Sequence, residues 1–503
     1  MGSRRNKAIL EWLFVGIVMV LLSVPLWLKV DQLPIRLWDE AQNAVNALEM
    51  SQTHNWLIRT YDYQPDTFDC KPPLLIWFQV LSIKALGLTE LAIRLPSVIF
   101  SILSCFVLFG LVYTMTDKKW TGLIAVLITV TSAGFYGEHA GRYGDHEALL
   151  ILLILGFLYC LYRYSESPLN KYLYYMGAVI VLGVLCKSIA MLMILPGSVL
   201  YLWYSKSLPG LFSNKHLYYA TLMVLVLVAS YYLGRTYYQP DYLYAVWHGE
   251  LLPRFTNTSQ MHHFRYISFW FYFEVLYKET FVLWFILVPF TILIPVMKRK
   301  FTKKWFFWFV NGMTLLLILS AGTKHHWYIA PMIPLFAGLV AISIYYLFER
   351  SKILGFVLLF PILIIGFSRY SKAYGDALHP TEKWDEWERY GISHFLKDDR
   401  HLKNISSNTK ILLRPYNAHE AYQFYLKRLE QNEGLKIGRT TFTDLQVGDT
   451  ILRHHKMVYD SLRQDYRVEV LDSSYQYTKL TVLHPKDTTT PYHINSFINE
   501  ITL

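Results

Sequence analysis

Two adjacent acids, Asp39 and Glu40, stand in the segment PIRLWDEAQNAVNALEM (34–50), directly after the first long apolar run. A carboxylate fixed there can take a proton from a hydroxyl whose own pKa lies far above neutrality. The spacing also offers a structural role: Asp39 precedes the apolar stripe Ala41, Ala44, Val45 and Leu48, and so reads as a helix N-cap with Gln42 as its capping-box partner. The roles are compatible, because a capping aspartate is held rigidly at the helix start. Glu40 then falls on the polar face beside it.

The candidate cations lie further along. Lys71, in DCKPPLLIW, precedes two prolines that fix the backbone. It reads either as a snorkelling anchor or as a ligand for a lipid phosphate. YGEHAGRYGDHEALL (136–150) packs Glu138, His139, Arg142, Asp145, His146 and Glu147 into one turn between apolar runs. Acids at a membrane edge are costly enough that such a density points to function. The histidines admit a divalent metal, although their spacing matches no closed zinc motif. WHGELLPRFTNTSQMHHFRY (247–266) contributes Glu250, Arg254, His262, His263 and Arg265, and the planar fork of Arg254 suits phosphate. TKHHWYIAPMIPL (323–335) adds Lys324, His325, His326 and Tyr328.

These residues need a scaffold, and the composition names its class. The 503-residue chain is 53% hydrophobic and only 17% charged, which marks a membrane protein. Eleven apolar stretches approach spanning length: 10–28, 95–115, 120–136, 148–162, 172–186, 188–205, 217–234, 280–297, 305–323, 327–348 and 353–368. The first lacks a small-residue cleavage site and reads as a retained anchor. Residues 72–87 are short and interrupted by Lys84, so they predict an interfacial or re-entrant helix. Cys70, Cys105, Cys160 and Cys186 are scattered and give neither a disulfide framework nor a zinc ribbon. The net charge of +11 gathers in short connections where lipid headgroups account for it, so nucleic acid is not an expected partner.

The basic connections fall on one side of the predicted spans, which the positive-inside rule makes cytoplasmic. Residues 31–93, 137–147, the turn at Lys187, 235–279, 324–326 and everything after Arg369 then face outward, and they hold nearly all the unusual chemistry. Lys324 is informative because the rule calls for no lysine there. From Tyr370 the chain turns polar and alternates strand-like runs (KILLRP, RVEVLD, YTKLTVLH) with a helical pattern (HEAYQFYLKRLE). The expected architecture is a polytopic α-helical membrane protein with about 11 transmembrane helices and interfacial helices over 1–369. A small soluble extracytoplasmic α/β domain over 370–503 follows it.

The succession WDEAQNAVNALEM, KPPLLIWF, LAIRLPSVIF, RYGDHEALLILL, LCKSIAMLMILP, PRF and WYIAPMIPL resembles the bacterial GT-C glycosyltransferases of the protein O-mannosyltransferase and aminoarabinose transferase type, over most of residues 30–340. The resemblance implies an inner-membrane enzyme that moves a sugar from a polyprenyl-phosphate carrier to a lipid, glycan or protein acceptor at the periplasmic face. It implies Asp39 as the catalytic aspartate and Asp145 as a second acidic site. Lys71 and Arg254 match groups that hold the carrier phosphate, and the outward Lys324 is grouped with them. Lys187 fits a recurring lysine in the hairpin after the fifth span, where Ser188 stands in place of the commoner glycine. Tyr328 falls near a span end that closes over the donor, and Glu40, Arg142 and His263 are expected as further donor or acceptor contacts. One departure concerns a metal: the aminoarabinose transferases carry a glutamate before the KPP lysine, where this chain has Cys70 preceded by Asp69. The metal therefore stays open, no other cofactor is called for, and a monomer is expected. The competing reading is a multi-span transporter of an anionic solute or lipid, which the absence of repeated halves and the grouping of charges at outer span ends disfavour.

Overall fold

The computed structural model describes residues 2–36, 38–137, 139–252, 269–381, 384–406, 408–412, 421–441, 444–454, 462–463, 465–474 and 478–485. The chain forms two compact units, one of Met1–Gln32 and Asn46–Pro380, the other of Leu33–Val45 and Thr381–Leu503.

Helices α1 (Gly2–Trp27), α2 (Asp39–Thr53), α3 (Leu74–Leu86), α4 (Glu90–Thr116) and α5 (Lys119–Val130) come first. A two-residue hairpin, β1 (Thr60–Tyr61) with β2 (Gln64–Pro65), lies between α2 and α3. The chain continues through α6 (Ala133–Tyr136), α7 (Glu147–Glu166), α8 (Asn170–Lys187), α9 (Leu195–Tyr204), α10 (Leu208–Phe212) and α11 (Lys215–Tyr238). Shorter turns of helix then lead to three long helices, Lys303–Ala321, Met332–Arg350 and Lys352–Leu378. Among the described residues, eight helices are long and apolar enough to cross a membrane, so the protein is a multi-pass membrane protein.

The eleven predicted stretches all fall on helix, and the lower count has local causes. Stretches 172–186 and 188–205 lie on one helical run, Asn170–Tyr204. That run reverses at Ser188, whose φ of 47° ends α8. A Cβ added to Gly183 would lie 2.3 Å from Met191 Cγ, whereas eight residues of straight helix would separate them by about 12 Å. Stretch 120–136 holds only the 12-residue α5 before α6. The hydroxyls of Thr129, Thr131 and Ser132 turn back onto the carbonyls of Ala125, Leu127 and Ile128 there. Stretch 280–297 breaks into Val282–Phe285, Leu287–Phe290 and Leu293–Lys298, with Pro289 and Pro295 each removing a backbone donor.

Within the first unit, Met332–Arg350 is the central helix, buried against α5 and Lys303–Ala321. Helix α11 and Lys352–Leu378 leave Leu222, Leu225, Phe356, Phe360 and Phe367 exposed, the kind of surface that hydrocarbon covers. Helix α3, 13 residues long and starting after Pro73, is too short to cross, as expected of an interfacial segment.

The second unit carries a five-stranded mixed sheet in the order β4-β3-β5-β7-β6. Its strands are β3 (Thr409–Leu412), β4 (Gly438–Thr440), β5 (Thr450–His454), β6 (Tyr466–Ser474) and β7 (Thr478–Pro485). Strand β3 runs parallel to β4 and β5, and β7 runs antiparallel between β5 and β6. Leu412, Leu445, Ile451, Leu462 and Leu483 form a core beside it. Residues 410–412 of KILLRP, RVEVLD, and residues 478–484 of YTKLTVLH supply β3, β6 and β7, and residues 423–430 of HEAYQFYLKRLE lie in helix Gln423–Glu433. The early segment 33–45 belongs to this unit through Ile35 N, which donates to Tyr425 Oη at 2.9 Å, and Arg36, whose guanidinium lies 4.7 Å from the Tyr390 ring centre.

Candidate active site

The link between α2 and α3 is polar, and buried charges fix its backbone. Arg59, wholly buried, donates from Nε and Nη2 to Asn46 Oδ1 at 2.8 and 2.6 Å. It also donates to Asp69 Oδ2 at 2.9 Å and to the Lys71 carbonyl at 3.1 Å. Asn46 in turn donates to the Thr60 carbonyl and to Asp66. Asp69 Oδ1 accepts from the Lys71 backbone at 3.2 Å and from its Nζ at 3.1 Å, so both ends of Lys71 are tied to one carboxylate. Burial alone would raise the pKa of Asp69, but Arg59, Lys71 and His146 outweigh it and hold the group well below the usual carboxylate range. Burial likewise opposes the charge on Arg59, and Asp69 and Asp66 outweigh it, so the guanidinium stays protonated.

The turn before α7 is seated by close approach. Gln79 Nε2 donates to the carbonyls of Ile93 and Gly144, each at 3.1 Å. A Cβ at position 144 would come within 2.6 Å of Ile93 Cγ2, so the turn requires glycine there. Ser97 Oγ donates to the Asp145 carbonyl at 3.2 Å. Thus placed, Asp145 Oδ2 accepts from His139 Nδ1 at 2.7 Å, and Oδ1 accepts from the His146 backbone at 2.6 Å and from its Nδ1 at 3.2 Å. The His139 ring stacks on Trp327 with centroids 3.9 Å apart, and Trp327 stacks in turn on His325 at 4.7 Å. Burial pushes the Asp145 pKa up, but the two histidines hold it well below the ordinary value. For His146, burial is the largest influence and lowers the pKa; Asp145 opposes it and Lys71 adds to it. The pair is therefore a carboxylate beside a neutral imidazole near neutrality.

Helices α7 and α8 pack side by side, which brings the acid at the start of one to the cation at the end of the other: Lys187 donates to Glu147. The Lys187 ammonium also lies 5.0 Å from the Tyr328 ring centre, and it sits in the field of Asp145 and Lys71. Lys71, Asp145, Lys187 and Tyr328 thus belong to one cluster, in which Asp145 and Lys187 are buried and Lys71 and Tyr328 half-buried. The cluster also includes Asp69, His146 and Glu147.

Among the other expected residues, Arg142 and Lys324 bond to backbone carbonyls. Arg142 donates to the carbonyls of Pro25 and Leu28, so it caps the C-terminal end of α1. Lys324 Nζ donates to the Gly322 carbonyl at 3.2 Å, and burial lowers its pKa. Asp39, half-buried, is the first residue of α2, preceded by Trp38 at a φ of 63°. Glu40 is buried and accepts from the Arg36 backbone at 2.8 Å. Glu138, Arg254, His262, His263 and Arg265 lie outside the described residues. The sequence reading missed Arg59, Asn46, Gln79 and the stacking of Trp327, none of which carries a local pattern.

The position before Lys71 does not suit a divalent metal. The Cys70 thiol is buried, donates to the Thr67 carbonyl at 3.2 Å, and has its pKa pushed up to about 12, chiefly by burial. A metal ligand would need the thiolate. Both Asp69 oxygens already face Arg59 and Lys71.

ArnT from Cupriavidus metallidurans, solved with undecaprenyl phosphate, matches with a TM-score of 0.65 at 14% identity, over 96% of this chain and 99% of that one. The chain has the GT-C fold. Residues 70–232 of this GT-C chain match the family model for dolichyl-phosphate-mannose-protein mannosyltransferase, so the stretch with Lys71, Asp145, His146 and Lys187 carries the sequence signature of a membrane glycosyltransferase family. AglB, the oligosaccharyltransferase of Archaeoglobus fulgidus, solved with an inhibitory peptide and a dolichol-phosphate, matches with a TM-score of 0.52 at 11% identity, over 85% of this chain and 64% of that one. No curated protein matches the sequence.

Proposed function

We propose that this protein is an inverting glycosyltransferase that moves a sugar from a polyprenyl-phosphate carrier to a hydroxyl or phosphate of a lipid, glycan or protein acceptor. The observation that carries the reading is Lys71: a lysine tied at both ends to a buried, ionised Asp69, beside a short apolar helix, within the stretch that matches the mannosyltransferase family. The polyprenyl phosphate bound to ArnT and the dolichol-phosphate bound to AglB support a lipid-phosphate donor here.

In the proposed reaction the acceptor oxygen attacks the anomeric carbon while the bond from that carbon to the phosphate oxygen breaks. Asp39 takes the proton of an acceptor hydroxyl. The phosphate leaves as an anion without needing a proton, so cations replace the usual acid partner, and Lys71, Arg254 and Lys324 are assigned that task. One-step displacement inverts the centre, whereas retention needs a second carboxylate as nucleophile. Asp145 and Lys187 shape the donor site from α7 and α8, with Tyr328 beside Lys187, and Glu40 and His263 are assigned to donor or acceptor contacts. Residues 1–369 are taken as the catalytic membrane part and 370–503 as a soluble part facing the periplasm of a bacterial inner membrane, in a monomer.

The test is transfer of radiolabel from a panel of polyprenyl-phosphate sugars in membranes containing the protein. Wild type should transfer label from at least one donor, and Asp39→Asn should lower the rate by about 10²–10⁴-fold. Transfer from no donor in the panel would refute the reading, and an undiminished Asp39→Asn rate would remove Asp39 as the base.

A further inference from the structure

His146 holds a buried hydrogen-bonding atom that the reaction as written does not use. The side chain is fully buried, Nδ1 faces Asp145 at 3.2 Å, and Nε2 has no hydrogen-bond partner among the described residues. A buried polar atom left unsatisfied costs about 1–3 kcal/mol, so it calls for an explanation. The carboxylate on Nδ1 can only accept, which assigns a proton to Nδ1 and, in the neutral ring, leaves a lone pair on Nε2. This is the arrangement by which a carboxylate fixes the tautomer of a neighbouring imidazole. The other charged groups that act on the ring are Lys71 and Asp69, the pair on which the proposed function rests.

We propose that His146 Nε2 accepts a hydrogen bond from a hydroxyl of the donor sugar and so selects which sugar is transferred. The inference rests on the glycosyl-transfer reading above. An unprotonated Nε2 repels phosphate oxygens, which are themselves acceptors, so its ligand must be a hydrogen donor. A neutral hydroxyl fits a neutral acceptor in a site whose cations are given to phosphate. The turn supports the assignment mechanically: Gln79 and the close packing at Gly144 seat it, Ser97 pins the Asp145 carbonyl, and Asp145 fixes the ring, so Nε2 is presented with little freedom. A site built to hydrogen-bond a substrate hydroxyl discriminates strongly against the analogue that lacks it, because its own polar atom is then left unpaired.

The experiment compares the preferred polyprenyl-phosphate sugar with its set of monodeoxy analogues, in wild type, His146→Leu and His146→Gln. Wild type should lose about 10²-fold or more in kcat/KM with one analogue. His146→Leu should turn over the parent sugar slowly and treat that analogue within about threefold of it, while His146→Gln, which keeps an acceptor, should retain most of the discrimination. Undecaprenyl phosphate binding by both variants checks that they are folded, because it reads the phosphate site alone. Discrimination that survives intact in a folded His146→Leu overturns the inference, as does a wild type indifferent to every deoxy position. Failure of wild type to transfer any sugar refutes the glycosyltransferase reading instead.

Discussion

In the first unit the Asp145 carboxylate is bracketed by His139 and His146 with 2% of its side chain exposed, whereas in the second Asp472 accepts from His401 and Asn404 with 17% exposed. A similar contrast separates Lys71 with Asp69, at 14% and 7%, from Lys410 with Asp449, at 33% and 13%. Aspartates paired with histidine or lysine occur in both units, and burial differs. Pairs near water gain little because solvent screens them and long side chains lose freedom. Buried pairs interact strongly, yet desolvation offsets much of the gain, so their presence is not accounted for by stability. A cluster that links Arg59, Asp69, Lys71, Asp145, His146, Glu147 and Lys187 is therefore better explained by what it binds.

The largest effect should come from removing one partner of a buried pair. Asp69→Asn removes the carboxylate bonded to the buried Arg59, leaving only Asp66 to offset its charge, and should destabilise the protein by about 3–5 kcal/mol, measured by thermal unfolding in detergent. A change below about 1 kcal/mol would erase the contrast between the units. Next, Lys71→Met should lower transfer by about 10²–10³-fold, the scale of losing one charge-stabilising donor, while Lys410→Met should leave the rate unchanged. The pH response sharpens the difference. The folded pKa values of Asp69 and Asp145 lie below the unfolded carboxylate value of about 3.9, so the stability they contribute is full above that value and is lost as pH falls through the folded ones. The gap in unfolding temperature between wild type and Asp69→Asn should thus stay constant from pH 7 to about 5 and narrow only below about 4. In the second unit, Asp449→Asn should cost at most about 1 kcal/mol. The smallest effect is expected of Cys70→Ala, whose thiol is protonated and bonded to a backbone carbonyl: transfer should change less than about twofold, with or without a chelator.

Much of this architecture could be read in the chain because the signals are local. An apolar run of sufficient length declares a helix, and the eleven runs lie largely on helical residues, although among the described residues they make eight spanning helices rather than eleven; the prolines at 289 and 295 explain why 280–297 is broken, and they too were visible. The KPP segment and the Asp145–Glu147 turn stood out for the same reason, as charges set against an apolar background. Arg59 did not, because a single arginine in a polar loop announces nothing. Its role appears only when folding brings Asn46, Asp69 and the Lys71 carbonyl around it from 10 to 13 residues away. Arg142 shows the converse. Its place in a dense charged motif suggested a substrate contact, yet it bonds to carbonyls of α1 more than a hundred residues earlier. The helix Lys352–Leu378 runs on past Tyr370, where polarity rises, because helical hydrogen bonding continues along a segment that need not stay apolar.

Equilibrium binding of undecaprenyl phosphate to the purified protein reads out whether Lys71 meets the phosphate of a polyprenyl carrier. Lys71→Met should bind about 10- to 100-fold more weakly than wild type at low salt, the worth of one charge-assisted contact. Equal affinity in a variant whose unfolding temperature matches wild type would contradict it.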